Sequence, residues 1–368
     1  DRAFYGCVSL RRINLKGVIL EGEDIFGNTG IMTNPNFLLE LGTLYLNGVG
    51  IPQNTETAMD MFRRGIKEVS RYQSSKGVEL SIAISRIFLD TANNINWKTE
   101  GLVRWGTDGS GEKLLIKGGA PMEPRSLTPM EKYDWCSSVP LQDCISSIQS
   151  AVVCYGISSI GDCAFAGSTM RAVTLPYGVT SIGSHAFADC KELISICIPD
   201  TVRFIGDCAF KGCSQLHQII IPPNVETIDG NPFSLCDHLA DFRVSKMNEH
   251  LSSNDGVLFD KEQTVLLCYP GGKSGNYSIP PSVTSINGRA FWSCDKLDNV
   301  AIPDTVTSIG SFAFYQCNKL ETVTIPRNVT SIGNGAFYTC RGITHVSIPG
   351  GMSPPEYVFP PKATIVPY

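Results

Sequence analysis

Residues 303–326 read PDTVTSIGSFAFYQCNKLETVTIP, and residues 326–349 read PRNVTSIGNGAFYTCRGITHVSIP. The second stretch repeats the frame of the first 23 residues on. Pro303, Val306, Ile309, Gly310, Ala313, Phe314, Cys317, Leu320, Val323 and Ile325 are answered by Pro326, Val329, Ile332, Gly333, Ala336, Phe337, Cys340, Ile343, Val346 and Ile348. Phe187, Phe210 and Phe233 are also 23 apart, as are Phe291, Phe314 and Phe337. A fixed period of this size marks a solenoid rather than a globular enzyme core. The apolar side chains of one turn bury too little surface to offset the ordering of its backbone, so turns must stack into a shared core.

Within a turn, Leu320-x-x-Val323-x-Ile325 has leucine-rich-repeat spacing. Val323 and Ile325, two apart, point the same way from a strand, and Thr322 and Thr324 point the other way. Pro326, without an amide hydrogen, ends the strand. Gly310 reads as a turn position that resists a larger residue, and Ala313-Phe314 sends a ring inward beside a small neighbour. The period slips twice. Phe165 to Phe187 is 22 residues, and Val244 to Ile279 is 35, one turn plus twelve. The extra residues carry Val257-Leu258-Phe259, then Asp260-Lys261-Glu262-Gln263, then Thr264-Val265-Leu266-Leu267. Two apolar runs around a polar turn predict a hairpin, within an insert over 245–278.

This frame resembles the BspA-type leucine-rich repeat over about residues 151–349. The resemblance extends to the insert, with Asp255-Gly256-Val257-Leu258-Phe259 and Tyr269-Pro270. It also includes the lead-in Leu114–Met122 followed by Trp135, and a closing strand at Ala363–Pro367. It implies a right-handed, mainly β solenoid with a parallel sheet. It also implies a surface or secreted protein of host-associated anaerobes or some protists that adheres to host or bacterial macromolecules.

The organisation that follows is a partial repeat over 1–28, a helical segment over 29–98, a hairpin lead-in and connector over 99–150, the solenoid over 151–349 and a cap over 350–368. Phe4, Cys7, Leu10, Ile13 and Leu15 already match the frame, so the chain is expected to open in mid-repeat, with upstream sequence missing. In 29–98, Phe37, Leu38, Leu41, Tyr45 and Leu46 recur at helical spacing, and Ala58, Met59, Phe62 and Ile66 resume it. Leu41–Gly50 followed by Asn54, Ala58 and Phe62 resembles a Sel-like repeat, a helical hairpin related to tetratricopeptide repeats. Such a hairpin braces its neighbours or docks a protein.

The net charge of −5 over 368 residues gives nucleic-acid binding no electrostatic support. No apolar run approaches the length of a membrane span. Of the fourteen cysteines, Cys7, Cys190, Cys213, Cys236, Cys294, Cys317 and Cys340 all fall three residues after an anchor Phe. One slot repeated seven times predicts a buried thiol ladder rather than a disulfide framework.

Catalytic motifs are missing. Gly271-Gly272-Lys273-Ser274 lacks the leading glycine of a phosphate loop, since position 267 is Leu267. No Gly-x-Ser-x-Gly elbow or His-Glu-x-x-His pair is present. The histidines His185, His217, His238, His250 and His345 share no catalytic spacing. Cys163, His185 and Cys208 each sit two residues before the anchor in successive turns and form a conceivable zinc column. The same slot holds Asn231, Arg289, Phe312 and Gly335, so coincidence is the better account and no metal or other cofactor is expected. No nucleophile, base and electrophile come together, and the chain reads as a non-enzyme.

Two surfaces remain for recognition. The open sheet face should present Gln218, Asp241, Arg243, Asn299, Thr322, Thr324, His345 and Ser347, polar and hydrogen-bonding. The aromatic column Trp292, Tyr315 and Tyr338 follows the anchor in three consecutive turns and suits a protein hot spot or the flat face of a sugar. The expected partner is a protein or extracellular-matrix ligand, with a glycan-binding module or a scaffold presenting other domains as alternatives.

Overall fold

The computed structural model describes residues 147–154 and 157–368 throughout. Upstream it describes residues 61, 95, 97–100, 103–107, 111–118 and 134–135. The chain divides into two compact units. The first holds residues 1–133, 151–158 and 173–179, and the second holds the remainder. In the first, strands Lys98–Glu100, Val103–Thr107 and Lys113–Gly118 form an antiparallel meander. It buries Trp105, Leu114, Leu115 and Ile116, and the Cys154 amide donates to Ile116 O at 2.8 Å. The readings of 1–28 as a partial repeat and of 29–98 as a Sel-like hairpin lie outside the described residues, save isolated positions such as Met61, which is helical and buried.

The second unit is a stack of turns built on nine aromatic anchors. Phe165, Phe187, Phe210 and Phe233 stack at 5.1, 5.3 and 5.4 Å between ring centroids. Tyr269, Phe291, Phe314, Phe337 and Phe359 follow at 4.9, 4.5, 4.7 and 5.5 Å. These spacings follow the roughly 4.8 Å separation of hydrogen-bonded strands. Val306, Ile309, Ala313, Leu320, Val323 and Ile325 close around the rings and are buried, as are their counterparts in the next turn.

Two sets of parallel strands recur along the unit, the first in three separate sheets and the second in two, broken at the insert. The expected one carries strands Gln218–Ile221, Asp241–Val244, Gly275–Ser278, Leu297–Ala301, Thr322–Thr324, His345–Ile348 and Thr364–Pro367. The second is made of dipeptides. Asp134–Trp135, Ser159–Ile160, Ser181–Ile182, Phe204–Ile205 and Thr227–Ile228 pair in register. Ser285–Ile286, Ser308–Ile309 and Ser331–Ile332 continue the pattern after the insert. A two-residue strand is too short to show a period. Its stability comes from the turns above and below.

Between the ladders the anchor segment alternates its backbone bonds. The amides of Phe312 and Phe314 donate to Asn334 O and Ala336 O of the next turn, at 2.9 and 2.7 Å. Those of Ala313, Tyr315 and Cys317 donate three residues back within their own turn. The alternation bends the backbone into the left-handed region two residues before the anchor. Cys163, His185, Cys208, Arg289, Phe312, Gly335 and Tyr357 all have φ between 57° and 65° there. A side chain at such φ costs about 1–2 kcal/mol, and the bonds to the next turn hold it in place. The Cys163–His185–Cys208 column is therefore one backbone slot.

The repeated glycine has a different cause from the one its spacing suggests. Gly183, Gly206, Gly310 and Gly333 do not have positive φ. A Cβ on Gly206 would lie 2.6 Å from the Ser184 amide nitrogen, and one on Gly310 would strike the Gly288 backbone. Close approach of neighbouring turns, not turn geometry, excludes a side chain. The cysteine slot is likewise structural. Cys190, Cys213, Cys236, Cys317 and Cys340 donate their thiols to the carbonyls of Phe165, Phe187, Phe210, Phe291 and Phe314, at 2.8–3.2 Å. Cys190, Cys213, Cys236, Cys294, Cys317 and Cys340 are all free thiols.

The insert is a meander of three strands. Val257–Asp260 pairs antiparallel with Val265–Cys268, as the polar turn between them predicts. Leu251–Asn254, which the sequence did not reveal, pairs with it on the other side across Asp255-Gly256. Both turn residues have positive φ, 49° and 75°, the requirement of a type I′ hairpin. Val265 and Leu266 then pair parallel with Ser285 and Ile286. The last strand of the meander thus enters the Ser-Ile ladder, and Tyr269 takes the place of the anchor Phe.

Candidate binding surfaces

Strand alternation puts the predicted open-face residues on the outside. Thr322 pairs with His345 and Thr324 with Ser347, while Val323 and Val346 between them are buried. Arg243, Asn299, Thr322, Thr324 and His345 are exposed, and Gln218, Asp241 and Ser347 are half-buried. Three of them form a network: Gln218 Nε2 and Arg243 Nε donate to the same Asp241 Oδ2, at 2.9 and 2.7 Å. His345 Nδ1 lies 2.9 Å from Thr344 Oγ1. Ile220, 45% exposed, adds an apolar patch beside Arg243, with which it pairs. Asp298, Asn318, Lys319, Glu321, Gly342 and Thr344 line a shallow depression along the edge of this face.

Trp292, Tyr315 and Tyr338 occupy one slot of successive turns but are half-buried rather than free-standing. Trp292 meets Tyr315 edge-on at 5.4 Å, and Phe312 meets Tyr315 edge-on at 5.5 Å. Tyr338 packs edge-on against Tyr357 at 5.6 Å. From the left-handed slot Phe312 thus joins Trp292 and Tyr315, and Tyr357 joins Tyr338, in two separate ring groups. The signal for Phe312 was available in the sequence, two residues before the anchor Phe314, whereas Phe359 shows itself as an anchor only through its stacking on Phe337. Only the backbone conformation shows that this slot turns its side chain toward the aromatic column.

Charges gather at one end of the cluster. Arg289 lies over the Trp292 ring at 5.3 Å and Lys211 at 5.9 Å, a cation–π arrangement. Arg289 also pairs with Asp207, 82 residues earlier. Asn231 Nδ2 donates to Arg289 O at 2.7 Å, and Lys296 Nζ to Asp237 O at 2.8 Å. These bonds pass over the insert and join the turns on its two sides. Burial alone would raise the Asp207 carboxyl. The hydrogen bond and charge of Arg289 outweigh it and hold the group below its usual range. Elsewhere burial pushes Asp200, whose Oδ1 has no hydrogen-bond partner, up to about 6.

Among the described residues no three metal-ligating side chains converge. In the conceived zinc column, Cys208 donates its thiol to Asp207 Oδ1 at 3.5 Å. No described helix is long and apolar enough to cross a membrane.

A family model described as the BspA type leucine rich repeat region matches in six copies, over residues 141–256 and 268–359. The match does not reach the helical segment expected at 29–98. Among solved structures, a leucine-rich repeat protein from Eubacterium ventriosum is 25% identical with a TM-score of 0.57, over 69% of this chain and 72% of that one. A leucine rich cell surface protein from Faecalibacterium prausnitzii is 20% identical with a TM-score of 0.47, over 74% and 94%. The pneumococcal vaccine antigen PcpA is 18% identical with a TM-score of 0.48, over 73% and 87%. No curated protein matches. With more than half its length matched and its anchors, thiols and strands recurring in the same frame, the chain belongs to the BspA-type leucine-rich repeat family.

Proposed function

We propose that this leucine-rich repeat protein is a non-enzymatic surface or secreted adhesin that binds a protein or matrix ligand through the open face of its parallel sheet. The observation that carries the reading is the Gln218–Asp241–Arg243 network beside the exposed Ile220. It holds polar groups ready on a rigid sheet, which reduces the entropy lost on binding. Solenoids offer such faces to extended partners.

The test is a binding screen against matrix proteins, with wild type beside Arg243→Ala and Thr324→Arg. A protein ligand lost at least tenfold in either variant, at unchanged unfolding midpoint, supports the reading. Equal binding in both moves the contact off this face. The glycan reading has its own observation, the aromatic cluster around Trp292 flanked by Arg289 and Lys211. It requires a glycan ligand whose binding fails in the Trp292→Ala, Tyr315→Ala, Tyr338→Ala variant.

A further inference from the structure

Two histidines that the repeat does not require lie against one another. His217 and His238 belong to successive turns, both are exposed, and their ring centroids are 5.6 Å apart at an interplanar angle of 37°. Each ring is held by its δ nitrogen. His217 Nδ1 donates to Gln215 O at 2.7 Å and His238 Nδ1 to Ser214 O at 2.6 Å. A carbonyl oxygen only accepts, so in the neutral rings the proton is on Nδ1 and each Nε2 keeps a lone pair. No hydrogen bond from a described residue reaches either Nε2. The two carbonyls belong to adjacent residues, so both imidazoles are anchored to one short segment.

This is how metal-binding histidines are commonly set, with one nitrogen tied to a backbone carbonyl so that the other is oriented and basic. The spacing also fits. A metal–nitrogen bond of about 2.0–2.1 Å, extended by about 1.1 Å to each ring centre, puts two imidazoles on one tetrahedral ion with centroids roughly 5–6 Å apart. Asp237 precedes His238 in the chain, and the Lys296 ammonium donates to Asp237 O at 2.8 Å. We propose that His217 and His238 form a two-imidazole chelate for a borderline divalent ion such as Zn2+ or Ni2+. Imidazole nitrogen favours this class of ion. The positions left on the ion go to water or to a carboxylate or imidazole from a binding partner. The proposal does not depend on the adhesin reading.

The experiment uses the full chain and cobalt(II) as a spectroscopic probe, with zinc as competitor. Wild type should bind one zinc-displaceable cobalt with d–d bands and no thiolate charge-transfer band. His217→Ala and His238→Ala should each weaken binding about tenfold or more, and His345→Ala should leave it unchanged. Both replaced side chains are exposed, so circular dichroism and unfolding midpoints should match wild type. In the unmodified chain, the His217 and His238 ring signals should be the first that substoichiometric cobalt perturbs in the NMR spectrum. A thiolate band would move the site to exposed cysteines such as Cys163 or Cys197 and overturn the proposal. So would equal affinity in either histidine variant, or the absence of bound metal.

Discussion

The turns before the insert and the turns after it share one interior and differ outside. Phe165 through Phe233 and Tyr269 through Phe359 form similar ring stacks with the same thiol-to-carbonyl bonds. The residue after the anchor is Ala166, Ala188, Lys211 and Ser234 in the first run, but Trp292, Tyr315 and Tyr338 after the three central anchors of the second, whose end anchors are followed by Pro270 and Pro360. The histidine pair lies in the first run and the aromatic cluster in the second. The fold is therefore specified by inward slots. Outward slots are free to vary, and each run fills them differently.

The sharpest way to separate the two kinds of slot is to empty an inward one. Phe314→Ala removes a fully buried ring with partners on both sides and should cost about 3–5 kcal/mol, read from urea unfolding. Because turns are coupled to their neighbours, the loss should broaden or split the transition. Unchanged stability would show that the ring stack does not hold the second run together.

The junction between the runs comes next. The Arg289–Asp207 pair is partly buried and bridges the insert. Arg289→Met should cost about 1–2 kcal/mol, because it removes the only cation paired with Asp207 among the described residues, and a cycle with Asp207→Asn should recover part of that. The folded Asp207 carboxyl lies below its ordinary 3.8. Its contribution is complete above the unfolded value and is lost as the pH falls through and below the carboxylate range. The wild-type advantage over Arg289→Met should therefore fade in acid. If it persists, the pair is not what joins the runs.

Asp200 has the opposite sign. Its folded value of about 6 exceeds its unfolded value of 3.8, so its favourable protonated state is complete below about pH 4 and lost as the pH rises through 6. Asp200→Asn should stabilise the first run by about 1–2 kcal/mol at pH 7–8, discounted for its partial exposure, with no gain below pH 4. The corresponding Asp304 of the second run is exposed, and Asp304→Asn should change stability little. Equal effects at the two sites would mean that burial does not distinguish them.

The sequence showed the inward half of this comparison well. Anchor, thiol and alternating strand each repeat a side chain that must fit one space, so Phe314, Cys317 and Val323 announce their roles. The Ser-Ile ladder was hidden because Ser308–Ile309 owes its strand character to turns 23 residues away. The role of Gly310 was misread because its constraint is the backbone of Gly288, not its own φ. The contact of Arg289 with Asp207 crosses 82 residues and an insert of irregular length, beyond any local period. Outward residues such as Gln218 and Thr324 could be assigned to a face, but spacing does not reveal which neighbours hold them.

The smallest effect tests the outward slot itself. Tyr315 is half-buried and touches Trp292 and Phe312 only edge-on. The first run keeps the same backbone with Ala188 in that slot. Tyr315→Ala should therefore cost about 0.5–1.5 kcal/mol, the worth of an aromatic pair beyond area burial, well below the cost of Phe314→Ala one residue away. Urea unfolding of the two variants side by side gives the ratio. If Tyr315→Ala costs as much as Phe314→Ala, the aromatic cluster is a second core. A small cost would leave the three rings available for a ligand without disturbing the turn beneath them.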